Sequence, residues 1–366
     1  MVDQQWYELS ETKTTSSPAL LVFPNRVQYN AELMLKIAGD ANRLRPHIKT
    51  HKMAEIIQLQ LQLGIQKYKC ATLAEAKLLA KTGAPDVLLA MQPVSVHLEN
   101  FIRLIEDYPK TNFSTLVDNY HSFDEFKKTA FDKNLIIDLW VDINNGMNRT
   151  GIKPGSEAEL LYKSISKEPL LNLRGLHVYD GHIHTADPHQ REAECDADFR
   201  PVIQLKEALE SEGYPVPTII AGGTPTFPIH KKRKGVELSP GTPLLWDEGY
   251  GSQYSDLEFF PAATLLTRII SKPGKDLICF DLGHKSVASE MQLPRVKFLG
   301  NHDFEQISQS EEHLVVKCKN SDAYLIGDTH YALPIHICPT VSKYPKALTV
   351  ENQKITGSWR VSARDH

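Results

Sequence analysis

Residues 45–52 read RPHIKTHK, a dense run of cationic and titratable side chains directly after a helical pattern that covers about Val27 to Leu44. The run reads as a short strand from Arg45 to Thr50. Alternate residues of a strand share a face, so His47, Lys49 and His51 are expected on one side and Ile48 and Thr50 on the other. A lysine crowded by cations in a partly dry site loses proton affinity, which is the condition for an amine nucleophile. The competing reading is a solvated basic loop that binds a phosphate or nothing.

Outward from this stretch, strand and helix signals alternate. Helix 54–63 ends at Gly64, and strand 68–71 leads into Thr72-Leu-Ala-Glu75, a capping box whose hydroxyl and carboxylate satisfy free amides at a helix start. That helix should stop at Gly83. Strands follow at 86–91, 113–117, 135–143, 171–179, 218–221 and 236–239, separated by helices at 96–105, 121–130, 156–166 and 188–212. Counted from Arg45 this makes eight strands, and a parallel (β/α)8 TIM-type barrel is the simplest closed solution. Beyond about residue 255 the helical period fades. Alternating apolar residues at 263–270, 277–281, 314–317 and 324–326 indicate a smaller all-β domain. The expected organisation is a barrel over 18–250 and a β-rich metal-binding domain over 251–366. Residues 1–17 form an arm on the latter, and strand 19–23 is a candidate link to it.

Composition narrows the function. The chain has 366 residues, 41% hydrophobic and 23% charged, so it can bury ordinary cores. Lys plus Arg number 41 against 45 Asp plus Glu, a net charge of -4, which gives no overall attraction to nucleic acid or an anionic membrane. No apolar run approaches the ~18 residues of a spanning helix. The polar start MVDQQWYELSETK lacks a signal-peptide core. Five scattered cysteines, an odd number, argue against a disulfide framework and for a reducing cytoplasm.

Barrel chemistry sits at the C-terminal ends of strands. Lys49 closes the first strand. DINNGMNRTG (142–151) follows the fifth and can return the Arg149 guanidinium over the mouth towards a phenolate or carboxylate; a surface turn with a solvated arginine fits equally. LHVYDGHIH (176–184) follows the sixth, with His177 and Tyr179 on one face and His182 and His184 on the loop as candidates for proton transfer. Ala221-Gly222-Gly223-Thr224 and Ser239-Pro240-Gly241-Thr242 end the last two strands, a pair of small-residue loops suited to a phosphate. A lysine nucleophile with a phosphate cradle is the outline of a pyridoxal phosphate barrel. In the β domain, His336-Ile-Cys338 read as a strand puts two metal ligands on one face, in an open site. A buried Cys beside a core His is the plainer alternative.

The order RPHIKTHK, DINNGMNRTG, LHVYDGH, AGGTPT, SPGT and HICPT resembles the D-threonine aldolase and D-serine dehydratase group of fold-type III pyridoxal phosphate enzymes, related to alanine racemase in the barrel. The resemblance spans about residues 18–345. It implies Lys49 as the Schiff-base lysine, Arg149 at the cofactor's phenolic oxygen and Tyr179 near the pyridine. It further implies Gly222, Gly223, Thr224, Gly241 and Thr242 at the phosphate, and His336 and Cys338 as the metal pair. It departs from alanine racemase at Ser239, which stands where that enzyme has an arginine, and in lacking a match for its catalytic tyrosine. The implied activity is a lyase acting on a D-3-hydroxy amino acid. Retro-aldol cleavage to glycine and an aldehyde, with His182 or His184 as base, is the first choice. Dehydration of D-serine or D-3-hydroxyaspartate is the alternative, and racemisation ranks lower. A Cys ligand points to zinc, whereas manganese or magnesium would prefer oxygen. The resemblance also implies a homodimer. A cofactor carrier without turnover would have no use for HICPT, and a phosphosugar-binding barrel none for Lys49.

Overall fold

In the computed structural model, which describes residues 6–300 and 302–365, the chain divides into two compact units. One holds residues 34–49 and 57–241. The other holds, of the described residues, 6–33, 50–56, 242–300 and 302–365. The single boundary expected near residue 250 is thus replaced by an exchange of segments, one of which falls between Lys49 and Thr50. The first strand, β1 (Ala19–Val22), belongs to the second unit.

The first unit is built on seven parallel strands that neighbour one another in chain order. They are β2 (Lys67–Cys70), β3 (Asp86–Leu89), β4 (Asn112–Val117), β5 (Ile137–Ile143), β6 (Leu171–Val178), β7 (Thr218–Ala221) and β8 (Val236–Leu238). Helices Leu73–Thr82, Val96–Asp107, Tyr120–Lys133, Ser156–Ser166 and Pro188–Ser211 fill the crossovers. The helix limits follow local chemistry. Thr72 Oγ1 accepts from Glu75 N at 3.2 Å while Glu75 Oε2 accepts from Ala71 N at 2.7 Å, and Gly83 ends the same helix in the left-handed region at φ +89.

The expected strand over Arg45–Thr50 does not form as such. Residues 44–47 instead bridge the two edges of the curled sheet. Leu44 pairs with Leu238, His47 pairs with Lys69, and Arg45 N and His47 N each donate at 2.8 Å, to Leu238 O and Pro240 O. Immediately afterwards Ile48–Thr50 turn into a 3-10 helix. Strand alternation therefore does not set the direction of Lys49. Proline at 46 gives the reason: it supplies no amide to a ladder, so only a short piece of strand is sustained there. The TIM-type curl is retained.

Arg45 is the cation of the opening stretch that became structural. Fully buried near the N-terminal ends of the strands, it pairs with Asp86 at 2.6 Å and Glu237 at 2.7 Å; Arg174 joins through Asp86 and Asp138, and Lys67 through Glu237. Above this charged layer lie Leu88, Leu116, Trp140 and Ile220, an apolar plug.

The second unit is a mostly β domain. Besides β1 it contains β9 (Ala263–Gly274), β10 (Leu277–Phe280), β11 (Val296–Phe298), β12 (Glu305–Gln309), β13 (Leu314–Lys317), β14 (Thr329–Pro334), β15 (Lys346–Glu351) and β16 (Lys354–Arg360). Strand β1 runs between β9, antiparallel, and β15, parallel. Tyr7 and Leu9 of the arm pack on Leu21, Phe23, Leu266, Tyr331 and Val350; residues 1–5 of the expected arm lie outside the described residues. The strand expected at Tyr324–Ile326 is a turn in which Leu325 and Ile326 are 68% and 66% exposed. Among the described residues, no helix is long and apolar enough to cross a membrane.

Candidate active site

At the C-terminal ends of the barrel strands, the ring of Tyr179 is the point on which three cations converge. The Arg149 guanidinium lies 5.0 Å, Lys69 Nζ 5.5 Å and Lys49 Nζ 5.9 Å from its centroid. The ring folds back onto its own chain because residue 181 is glycine: a Cβ there would stand 2.2 Å from a Tyr179 ring carbon. Lys49 is half-buried, and its backbone amide donates to His47 Nδ1 at 3.2 Å, so the histidine fixes the 3-10 turn that presents the lysine.

Arg149 is carried by a loop wound around Asn144. Asn144 Oδ1 accepts from the amides of Gly146 and Asn148 at 3.2 and 3.0 Å, and Gly151 N is tied to Asp118 Oδ2 at 2.8 Å.

Two buried carboxylates sit beneath the cations, and both are already held. Asp142 Oδ1 is 2.7 Å from His177 Nδ1. Burial alone would raise the Asp142 pKa, but the His177 and Thr150 hydrogen bonds and the charge of Lys69 hold it below the usual value, while burial pushes His177 down. The pair is therefore a carboxylate accepting from a neutral imidazole, whose buried Nε2 has no partner among the described residues. Asp180 Oδ2 is 2.8 Å from His230 Nε2, and Asp180 Oδ1 accepts from Thr226 Oγ1 at 2.8 Å and Gly223 N at 3.1 Å. Arg233 donates to His230 Nδ1 at 2.8 Å, which leaves the imidazole proton on Nε2, facing Asp180.

This network corrects the role expected of Gly223. Its amide is used by Asp180 and by Thr226 Oγ1 at 3.0 Å, so it braces the loop from within. Gly222 is the conformationally demanding member, with φ +85 and a position where a Cβ would come within 3.0 Å of His230. Thr224 Oγ1 accepts from Gly241 N at 3.2 Å, linking the two small-residue loops. Thr242 falls in the other unit, where its Oγ1 lies 4.0 Å from Cys338 Sγ.

The residues of the first unit fit pyridoxal phosphate. Lys49, Lys69 and Arg149 outnumber Asp142 and Asp180, whose charges are engaged by His177 and His230. The site thus carries an excess of positive charge, and the loop beside it is of glycines: a Cβ at Gly222 would come within 3.0 Å of His230 and one at Gly223 within 3.2 Å of the Tyr179 ring. Ser239 Oγ donates to the Arg45 carbonyl at 3.0 Å, leaving only a hydroxyl oxygen to accept.

His336 and Cys338 lie in the second unit. They are not on a strand: β14 ends at Pro334, His336 precedes the short helix Ile337–Val341, and Cys338 is inside it. Their proximity survives, because the turn does what alternation was expected to do. Burial would lower the His336 pKa, but the Cys338 thiol, Glu290 and Asp247 raise it to about 9. Glu290 Oε1 is 2.5 Å from His336 Nδ1, and Asp247, buried and itself raised to about 6 by burial, accepts from Ile337 N at 3.0 Å. A place that attracts a proton this strongly, with imidazole, thiol and carboxylate together, fits a borderline divalent cation. Thr50 Oγ1, next in sequence to Lys49, is 3.1 Å from Cys338 Sγ. A second possible ligand group, Asp180, Cys195 and His230, is buried in the first unit, but its atoms are satisfied by one another and by Arg233 and Thr226.

The loop histidines divide. His182 Nε2 is 2.7 Å from Asp198 Oδ2 on helix Pro188–Ser211, and His184 is exposed. The sequence reading missed Lys69, Asp180, Asp247 and Glu290. Lys69 had a signal, since KYKC places Lys67 and Lys69 on one face of a core strand. The others had none.

Comparison with known proteins agrees with this geometry. Residues 23–245 match the N-terminal domain of alanine racemase, and residues 262–350 match a putative serine dehydratase domain. A D-threonine aldolase of Arthrobacter sp. is 27% identical over 88% of this chain and 85% of its own length. A 3-hydroxy-D-aspartate aldolase of Paracoccus denitrificans is 27% identical over 95% and 92%. The crystal structure of D-threonine aldolase from Filomicrobium marinum superposes with a TM-score of 0.85 at 25% identity, covering 95% of this chain and 96% of that one.

Proposed function

The chain belongs to the family of the alanine racemase N-terminal domain, and we propose that within it this protein is a pyridoxal phosphate- and metal-dependent lyase that cleaves D-3-hydroxy amino acids by a retro-aldol reaction. The observation that carries the reading is the convergence of Lys49, Lys69 and Arg149 on Tyr179. Aldol cleavage is placed first because two of the relatives matched over most of their length, at 27% identity, are named as aldolases.

Bound pyridoxal phosphate supplies an electron sink for the pair left at Cα, and a divalent metal supplies a Lewis acid for a hydroxyl oxygen. The rest is the work of the chain. Lys49 is the amine that carries the cofactor. Arg149 holds a phenolic oxygen by charge. Gly222, Thr224 and Gly241 leave room for a phosphate, and Asp180 keeps their loop in shape. Asp142 and His177 fix the charge beneath the site. His336 and Cys338 hold the metal, with Glu290 as a third candidate ligand. His182 and His184 stay the candidate bases for the hydroxyl proton, with Asp198 orienting His182.

Dehydration is the second reading, favoured by the match of residues 262–350 to a serine dehydratase domain and by the Cys ligand. Product analysis with D-threonine, D-serine and D-3-hydroxyaspartate separates them. Glycine plus an aldehyde is the expected result. A keto acid plus ammonia would replace the first reading by the second, and turnover of none of the three would remove both.

A further inference from the structure

Lys69 is used by neither the sequence reading nor the family resemblance. Its side chain is 3% exposed, at the C-terminal end of β2. Its backbone is fixed to the segment carrying Lys49, through the His47–Lys69 bridge and the 2.9 Å bond from Lys69 N to Pro46 O. Lys67, two residues earlier on the same face, is neutralised by Glu237. Among the described residues Lys69 has no such ion pair. Its Nζ instead stands over the Tyr179 ring that Lys49 and Arg149 also face.

We propose that Lys69 is a second carbonyl-reactive amine of the barrel mouth, able to condense with an aldehyde held there when Lys49 is not engaged with it. The step balances without a further reactant. The neutral amine attacks the carbonyl carbon, a C=N bond forms, and the carbonyl oxygen leaves as water with the two amine protons. The charges around Lys69 favour the neutral form it needs. Burial is the largest influence, and Lys49 and Arg149 add to it against the opposing pull of Asp142 and Asp180, bringing Lys69 to about 7. At neutral pH that leaves about a thousandfold more free amine than an ordinary lysine has. Lys52, the other lysine near Lys49 in sequence, falls in the other unit.

The inference rests on the reading that the mouth takes pyridoxal phosphate, and the test separates the two. The full chain is incubated with pyridoxal phosphate, reduced with borohydride and mapped by peptide mass spectrometry. Wild type is expected to carry the label on Lys49. Lys49→Ala is expected to carry it on Lys69, and the double variant Lys49→Ala, Lys69→Arg on neither. Label missing from Lys69 in folded Lys49→Ala overturns the inference alone, while a wild type without label on Lys49 overturns the cofactor reading. Should Lys49→Ala fail to fold, wild type without cofactor is titrated with a trace of acetic anhydride between pH 6 and 10. Acetylation of Lys69 should level off near pH 8, and a rate still rising tenfold per unit beyond pH 9 would overturn the inference.

Discussion

Replacing Asp180 by asparagine removes one charge and nothing else in volume, and the consequences can be worked out atom by atom. The carboxylate accepts from Thr226 Oγ1, Gly223 N and His230 Nε2, and it is 2% exposed. Asparagine has one acceptor and one donor end. With its oxygen towards Gly223 and Thr226, its NH2 meets the His230 proton. Flipped, the NH2 meets the Gly223 amide. Either orientation strands a buried donor, at about 1–3 kcal/mol, and weakens bonds that had been made to a charge. We expect a total loss of about 3 kcal/mol. For a protein of this size that is a fall in Tm of roughly 4 °C. Asp180 holds the loop at Gly222 through Gly223 and Thr226, so a third to a half of that loss should also appear in pyridoxal phosphate binding, as a weakening of about tenfold. Urea unfolding followed by tryptophan fluorescence, with a cofactor titration by absorbance, reads both. A variant within about 0.5 kcal/mol of wild type and with unchanged cofactor affinity would refute the assignment of Asp180 as the brace of this loop.

Arg45→Met should cost about 3 kcal/mol in chemical denaturation, because Asp86 and Glu237 would lose their buried partner and keep only Arg174 and Lys67. Gly181→Ala should leave far-ultraviolet circular dichroism intact yet weaken cofactor binding by at least about tenfold, since its methyl group takes the place of the Tyr179 ring. His330, buried among Phe280, Phe298, Phe304 and His302, is lowered to about 4 chiefly by burial, with His302 adding to it. The unfolded chain binds this proton first, so the stabilisation is complete above about pH 6.5 and drains away as the pH falls towards 4, by up to about 3 kcal/mol. His330→Gln should flatten that part of the pH–stability curve measured by thermal unfolding.

The barrel was legible because each of its crossovers announces itself: the Thr72–Glu75 capping box, Gly83, and apolar runs such as Ile137–Ile143. The β domain was half legible. Leu314–Lys317 alternates and Ala263–Gly274 opens on a buried, largely apolar run, but Glu305–Gln309 is a largely exposed strand and Lys354–Arg360 is exposed along nearly all its length, so neither carries an apolar face to read. Tyr324–Ile326 has the apolar run of a strand, but Leu325 and Ile326 are in solvent and only Tyr324 packs, against His302, Phe304 and His330. Lys49 and the His336–Cys338 pair were singled out by motif, although both stand at helical turns where strands were expected. Asp180 could not be found that way. Its partners, Gly223, Thr226 and His230, are more than forty residues distant in sequence, and only the closing of the sheet brings them together.

The central claim is that the mouth of the barrel holds pyridoxal phosphate through Lys49. A crystal structure of the protein grown with the cofactor tests it most directly. The account predicts electron density continuous with Lys49 Nζ, the ring beside Tyr179 and Arg149, and the phosphate against Gly222, Thr224 and Gly241. Cofactor density elsewhere on the chain, with Lys49 free, would contradict it.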